Sequence, residues 1–168
     1  DDLRQRILEY AHQEGYVVSD VTQSLLSGQT GTIGVVVPRL AGPFIDTLMS
    51  GIADALWEHQ TVPLVLNSQL DPDREEAMLQ TLSTKRVDAL IIMPCVANRS
   101  EDHFVHLIKR HTPIVALDNA MASVDAPLVG SDDEKGGEIV TRHLVELGHQ
   151  RIAHIGTGLE FGEGGRDR

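Results

Sequence analysis

The sequence has a single cysteine, few basic residues and no long apolar run, and each shortage excludes a class of protein. Cys95 alone can form neither an intrachain disulfide nor a cysteine metal cluster, which fits a reducing cytoplasm. Lys and Arg number 14 against 25 Asp and Glu, so the formal net charge is -11 and the chain as given is not expected to bind DNA strongly. No apolar stretch approaches the ~18 residues of a membrane span and no signal peptide is recognisable, so we expect a cytoplasmic protein with no membrane partner.

Residues with the chemistry of catalysis or metal binding are present but not in convincing sets. The glycines of residues 156–162 imitate a dinucleotide loop, yet the spacing is G-x-G-x-x-x-G and no helical pattern follows to offer its N-terminus to a phosphate. His103, His106 and His111 complete no metal set, and a solvated helix face is the simpler interpretation. Cys95 has no neighbouring base in the sequence and is interpreted as a packing residue. We therefore expect no catalytic residue, no bound metal and no cofactor.

Short apolar runs alternate with helical patterns along most of the chain. This alternation predicts a parallel, doubly wound α/β sheet with right-handed crossovers. The first five strands would form one complete lobe, and a sixth would begin another. The predicted strands are residues 33–37, 63–67, 89–93, 113–117, 128–130 and 151–155, and the predicted helices are residues 3–13, a helix from Pro43 to about 56, residues 73–85, 103–110 and 135–146.

Residues 15–38 carry the most specific pattern. Gly15-Tyr16 leads through a short polar segment to Gly28, and the strand from Ile33 to Val37 follows and enters a turn at Pro38. This order resembles the junction in the lactose-repressor/galactose-repressor (LacI/GalR) transcription factors, where the last DNA-domain helix continues through a hinge helix into a sugar-binding domain. The resemblance continues at Pro43-Phe44 and in residues 86–94, 113–118, 129–132 and 143–155.

The resemblance implies a periplasmic-binding-protein-like type I fold and a division of the chain into four parts. Residues 1–17 would be the remnant of a helix-turn-helix domain, and residues 18–31 the hinge. Residues 32–150 would be the N-terminal lobe of the effector-binding domain, and residues 151–168 the start of a C-terminal lobe. The chain would then be a fragment of a homodimeric regulator that binds a small effector, a sugar or a derivative, and thereby controls operator DNA binding by the intact protein.

Candidate effector contacts come from residues that follow strands, with one from the second lobe. Phe44 and Ile45 follow the first strand, although Phe44 could instead anchor its helix to the core. Asp118 and Asn119 follow the fourth strand, where short carboxylates and amides can bind vicinal hydroxyls. Asp132 could do the same or could cap the next helix, as could its neighbour Asp133. The resemblance adds Arg168, whose guanidinium suits a diol, carboxylate or phosphate.

The resemblance also implies a DNA-contacting hinge and a dimer surface. Leu25 occupies the position of the leucine that enters the minor groove, whereas Gln23 replaces the usual arginine and weakens the expected DNA contact. In the family the first two helices of this lobe face a second subunit, and the exposed part of an apolar stripe on these helices could do the same here, although such a stripe is most often core. Its residues are Leu48, Met49, Ile52, Leu56, Met78 and Leu82.

Two other functions compete with a regulator. A sugar-binding receptor of a transport system shares the two-lobed fold but would require a signal peptide in place of the hinge. A nucleotide-using α/β enzyme would require a phosphate loop and an acid–base pair, and the sequence offers neither.

Overall fold

The computed structural model describes residues 2–16, 24, 27–95, 104–121 and 124–155. Ten regular elements lie within these residues. The helices are α1 (Asp2–Gln13), α2 (Pro43–Glu58), α3 (Pro72–Lys85), α4 (Val105–Lys109) and α5 (Asp133–Glu146), and the strands are β1 (Thr32–Val37), β2 (Val62–Asn67), β3 (Ala89–Ile92), β4 (Ile114–Leu117) and β5 (Leu128–Val129). Within the described part of the chain, none of the helices has the length and apolarity needed to cross a bilayer.

The five strands form one parallel sheet in the order β2-β1-β3-β4-β5. Thr32 pairs with Val62 at the start of β1, and Val37 pairs with Asn67 at its end. Valine and isoleucine dominate the central strands because their branched side chains suit a pleated surface that is covered on both faces. The predicted parallel α/β fold is confirmed.

Helices cover both faces of the sheet, which makes it doubly wound. On one face α3 and α4 pack on β1, β3 and β4, and on the other face α2 packs near the ends of β3 and β4. The first face holds the larger buried cluster, which consists of Val36, Leu79, Leu82, Val87, Leu90, Ile92, Phe104, Leu107, Ile114, Ala116 and Met121. The second cluster consists of Ile45, Met93 and Leu117, with Leu48, Met49, Ile52 and Ile91 packed against it.

The close contact between β1 and α3 depends on the glycine in β1. A Cβ atom at Gly34 would lie 2.8 Å from Cδ1 of Leu82, which is closer than real Cβ contacts allow. The Leu82 side chain is fully buried, so it occupies the space that a side chain at position 34 would need. Glycine at this position therefore lets α3 approach the sheet.

Capping residues mark the ends of α2 and α3. Asp71 Oδ1 accepts hydrogen bonds from the backbone N–H groups of Asp73 (2.9 Å) and Arg74 (3.3 Å), so it caps α3 as an N-cap aspartate does. Pro72 and Pro43 begin α3 and α2, where the missing N–H of proline has no cost. At its other end α3 stops at Arg86, whose φ of 57° is left-handed.

The sixth predicted strand is wrong, and two helices differ from prediction. Residues 151–155 are exposed and form no strand, because an apolar run becomes a strand only when a neighbouring strand accepts its hydrogen bonds, and the described sheet ends at β5. Helix α4 is shorter than residues 103–110, and the start of that predicted range lies outside the described residues. Helix α5 begins at Asp133 rather than at position 135, and all of its residues are exposed except Leu144, which is half-buried.

Candidate functional site

The strand order changes direction between β1 and β3. The chain runs from β1 to β2 on one side and then crosses to β3 on the other side of β1. In open parallel sheets, ligands bind in the crevice beyond the carboxyl ends of the strands at this change of direction. Here that crevice is bordered by residues 38–44 after β1 and by residues 93–95 after β3. We refer to the space between these two segments as the crevice.

Phe44 and Ile45 occupy opposite environments at the start of α2. Ile45 is 8% exposed and lies in the cluster with Met93 and Leu117. Phe44 is 62% exposed, so the alternative that it anchors its helix to the core is wrong. Of the two predicted effector contacts, Phe44 is the one that the fold leaves available, and Ile45 is a packing residue.

Asp118 and Asn119 lie beside the crevice, at the carboxyl end of β4. The backbone N–H of Asp118 donates to Val129 O at 2.9 Å, and the N–H of Asn119 donates to Leu117 O at 2.7 Å. Asp118 adopts a left-handed conformation with φ of 63°. Aspartate tolerates this region better than most residues, and such conformations cluster at ligand sites. Both side chains are half-buried, so their position suits a contact with a small polar ligand.

Asp132 acts as the N-cap of α5. Its Oδ1 accepts a hydrogen bond from the backbone N–H of Lys135 at 2.9 Å. Asp133 is the first residue of the helix rather than its cap. The geometry thus supports capping by Asp132, and its contact with an effector stays a prediction.

A buried polar cluster joins the ends of β1, β2 and β3 at the crevice. Ser68, immediately after β2, is fully buried, and its Oγ lies 3.3 Å from Cys95 Sγ and 3.5 Å from Val37 O. Glu75 of α3 is 2% exposed, and its Oε2 accepts a hydrogen bond from the backbone N–H of Cys95 at 2.8 Å. This cluster fixes one wall of the crevice, because it ties the segment after β3 to both α3 and β2.

Sequence reasoning missed Ser68 and Glu75, although one signal was present. Glu75, Leu79 and Leu82 lie at helical spacing on one face of α3, so a carboxylate occurs on an otherwise apolar stripe. A charged group in such a position needs a buried partner, and here Cys95 N–H provides one. Nothing local in the sequence indicates that Ser68 meets Cys95.

The thiol of Cys95 is predicted to react slowly with alkylating reagents. Burial raises the pKa of Cys95 to about 11, the Ser68 hydrogen bond opposes this rise, and the negative charge of Glu75 adds to it. Since the thiolate is the reactive form, iodoacetamide at pH 8 should modify Cys95 roughly a hundredfold more slowly than an exposed cysteine. The rate, followed by mass spectrometry, should rise about tenfold per pH unit up to the pKa.

Alkylation in concentrated urea is the control for this prediction, because in the unfolded protein Cys95 should react as fast as an exposed cysteine. Fast alkylation of the folded protein at pH 8 would contradict the raised pKa of the half-buried Cys95.

Residues 30–159 match a family described as periplasmic binding proteins and the sugar binding domain of the LacI family. This match covers more than three quarters of the chain and includes the crevice and all five strands. The chain belongs to this family. The LacI/GalR resemblance seen in the sequence is therefore confirmed.

Individual LacI-family proteins agree with this assignment. Catabolite control protein A of Priestia megaterium is 29% identical over 157 residues, which are 94% of this chain and 47% of that protein. The ribose operon repressor of Escherichia coli K12 is 30% identical over 140 residues, which are 83% of this chain and 42% of the repressor. The crystal structure of a periplasmic binding protein/LacI transcriptional regulator from Alkaliphilus metalliredigens, complexed with D-xylulofuranose, has a TM-score of 0.60 and 28% identity over 74% of this chain and 44% of that chain. The chain thus spans less than half the length of each of these relatives.

The structure divides the predicted dimer stripe of this LacI-family lobe into two groups. Leu56 is buried and Leu82 is fully buried, so their placement on a contact surface is wrong, and they pack within the lobe. Leu48, Met49, Ile52 and Met78 are half-buried. A contact with a second subunit stays a prediction for these four residues.

Three predicted functional residues lie outside the described residues. They are Leu25 and Gln23 of the hinge and Arg168 of the second lobe. Their roles remain predictions from the family resemblance.

Proposed function

We propose that this chain is the effector-binding and dimerisation part of a LacI/GalR-type transcriptional regulator. In this proposal a small ligand, a sugar or a sugar derivative, binds at the crevice and changes the affinity of the intact protein for operator DNA. The observation that supports it best is an aromatic side chain, Phe44, left exposed beside the switch point of the sheet.

The chemistry of the crevice suits a carbohydrate. An exposed aromatic ring can cover the apolar face of a sugar ring, and Asp118 and Asn119 offer the carboxylate and amide groups that bind hydroxyls. The relative whose structure contains D-xylulofuranose is 28% identical to this chain, which favours a sugar over other small ligands.

The regulatory mechanism would be closure of two lobes on the ligand. Residues 32–150 form the first lobe in this proposal, residues 151–168 begin the second, and Arg168 would contact the effector from that second lobe. Closure would change the placement of two hinge segments in a homodimer. Such coupling requires that the effector bind the open and closed states with different affinities.

DNA binding would depend on parts outside the lobe. With a net charge of -11, the chain itself repels a polyanion, so phosphate contacts would come from a helix-turn-helix domain of which residues 1–17 are the end. The regulator would work in the cytoplasm, use no cofactor and catalyse no reaction.

A sugar-binding receptor of a transport system remains the second candidate on fold alone, and a nucleotide-using enzyme the third. Two of the relatives described above are named as a control protein and a repressor, which favours the first candidate. The gene sequence upstream of residue 1 separates them, because a regulator needs a helix-turn-helix there and a receptor needs an exported leader.

A thermal-shift screen of the full-length protein against sugars and phosphosugars tests the ligand. A ligand at about 100 times its Kd should stabilise the native state by ~2.7 kcal/mol.

We expect Phe44→Ala to weaken binding of that ligand about tenfold or more, since a stacked aromatic group contributes on the order of 1.4 kcal/mol or more to affinity.

Trp57→Ala is the matched control, because Trp57 is 83% exposed on the same helix and lies far from the crevice end of it. It should leave ligand affinity unchanged. Equal losses in the two variants, or no stabilisation by any compound, would contradict the proposed site.

A further inference from the structure

The carboxylate of Asp88 collects hydrogen bonds from the segment that enters β1. Its Oδ1 accepts from the backbone N–H of Thr30 at 2.8 Å and from Thr30 Oγ1 at 3.2 Å, and its Oδ2 accepts from the N–H of Gly31 at 2.7 Å and from the N–H of Thr30 at 3.1 Å. Asp88 is half-buried at the amino end of β3. Hydrogen bonds to a charged acceptor are about twice as strong as neutral ones. Asp88 is therefore firmly attached to Thr30 and Gly31, which lie 58 and 57 residues before it in the chain.

Backbone hydrogen bonds to β2 and to the start of β3 strengthen this attachment. Gly31 O accepts from Val62 N–H at 2.8 Å, and Thr32 O accepts from Asp88 N–H at 2.8 Å. Arg86 O, 3.3 Å from Thr30 Oγ1, is a second acceptor for the same hydroxyl proton that Asp88 Oδ1 accepts. Residues 30–32 are therefore held between β2 and the turn that joins α3 to β3.

The chain changes direction immediately before this attachment. Gly28 N–H donates to Ser24 O at 2.9 Å, which is the pattern of a helical turn, and Gly28 and Gly31 have φ values of 74° and 65°. The passage from helical turn to strand thus takes only a few residues. Without the Asp88 carboxylate, nothing among the bonds described above would hold the backbone N–H groups of Thr30 and Gly31.

We propose that Asp88 is the positioning residue that sets the direction in which the segment before β1 leaves the lobe, and that effector-controlled operator binding depends on this attachment. This inference rests on the proposed function. Asp88 lies in the turn between the end of α3 and the start of β3. The N-terminal half of α3 carries Glu75, which binds Cys95 at the crevice. The helix and β3 therefore connect the crevice wall to the attachment through packed, hydrogen-bonded structure.

Asp88→Asn is the principal variant. It keeps the shape of the side chain but removes the charge and replaces one acceptor oxygen with an NH2 group, which cannot accept from Thr30 or Gly31. Asp125→Asn is the control, since it makes the same change of charge at an exposed residue of the lobe. Thr30→Val is a milder variant that removes the hydroxyl, which donates to Asp88 and also accepts from the Thr32 N–H at 3.3 Å, and it should act in the same direction with a smaller effect.

Hydrogen exchange on the chain itself tests the attachment. We expect the amides of Thr30 and Gly31 to exchange at least tenfold faster in Asp88→Asn, while amides within β1 such as that of Val36 keep their rate. Exchange of Thr30 and Gly31 at the wild-type rate would overturn the proposed attachment. If Asp88→Asn does not fold, Asp88→Ser is measured in the same way, because it also removes the carboxylate that accepts from Thr30 and Gly31, and wild-type exchange of these two amides would again overturn the attachment.

Operator titrations of the full-length protein, with and without its effector, test whether effector control of operator binding depends on the Asp88 attachment. We expect Asp88→Asn to reduce the effector-induced change in operator Kd at least fivefold, with effector Kd within twofold of wild type and Asp125→Asn unchanged. An effector response equal to wild type would overturn the inference while leaving the proposed function in place. Absence of any effector-dependent operator binding by the wild-type protein would instead overturn the proposed function, and the inferred dependence with it.

Discussion

Replacing Leu82 with alanine should lower the free energy of unfolding by about 2–5 kcal/mol, which is the usual range for a fully buried leucine. Leu82 is 0% exposed and packs in the larger core cluster. The loss of stability has two causes: less apolar surface is transferred from water into the core on folding, and a cavity remains where the leucine side chain was. Urea denaturation should show a lower midpoint with an unchanged m-value.

Leu70→Ala is the control for this variant, because Leu70 is 54% exposed and its truncation should change stability by less than about 0.5 kcal/mol.

Gly34→Ala provides an independent check of the contact between β1 and Leu82. It should cost about 1–3 kcal/mol in the wild-type protein but less when Leu82 is already alanine, since its Cβ would otherwise lie 2.8 Å from Leu82 Cδ1. Strict additivity of the two substitutions would contradict the observed packing.

Glu75→Ala should destabilise the lobe by about 1.5–3 kcal/mol, because it removes a charged acceptor from a buried site and leaves Cys95 N–H without it. Glu75 is 2% exposed, and its Oε2 lies 2.8 Å from that nitrogen. The segment after β3 should also loosen, so Cys95 should be alkylated faster in this variant than in wild type. Urea denaturation and alkylation kinetics measure the two effects.

Glu75→Gln is the conservative comparison, since its amide oxygen can still accept from Cys95 N–H. It should recover part of the stability and most of the protection of the thiol. If alanine and glutamine behave alike in both assays, the hydrogen bond to Cys95 does not hold the crevice wall.

Most of the fold could be predicted from the sequence because the signals are local. The branched apolar run of β1 and the Asp71-Pro72 start of α3 each determine their structure within a few residues. Residues 151–155 show the limit of such signals. Their apolar pattern indicates extended chain, but a strand exists only with a partner, and pairing is not encoded in the segment itself.

Helix α2 shows why the site was harder to predict than the fold. Phe44, Leu48, Ile52 and Leu56 are apolar residues that follow one another at intervals of four in the sequence, which is the spacing of an apolar stripe on a helix. In a helix of 3.6 residues per turn each step of four rotates the stripe by about 40°, so Phe44 and Leu56 lie about 120° apart. The structure buries Ile45 instead and leaves Phe44 exposed, and only three-dimensional packing determines which of two adjacent residues faces inward.

The polar cluster of Ser68, Glu75 and Cys95 could not be assembled from the sequence for a related reason. Its members come from three separate segments and meet only because β2 and β3 both border β1. Pairing across a sheet brings together residues with no shared local pattern.

The common direction of all five strands has an evolutionary consequence. Every turn that follows a strand emerges at one rim, and every turn that precedes a strand emerges at the opposite rim. Mutations that alter what the first rim recognises need not disturb the residues that hold the incoming chain at the second. Such a scaffold can diversify its ligands while its mode of attachment is inherited unaltered.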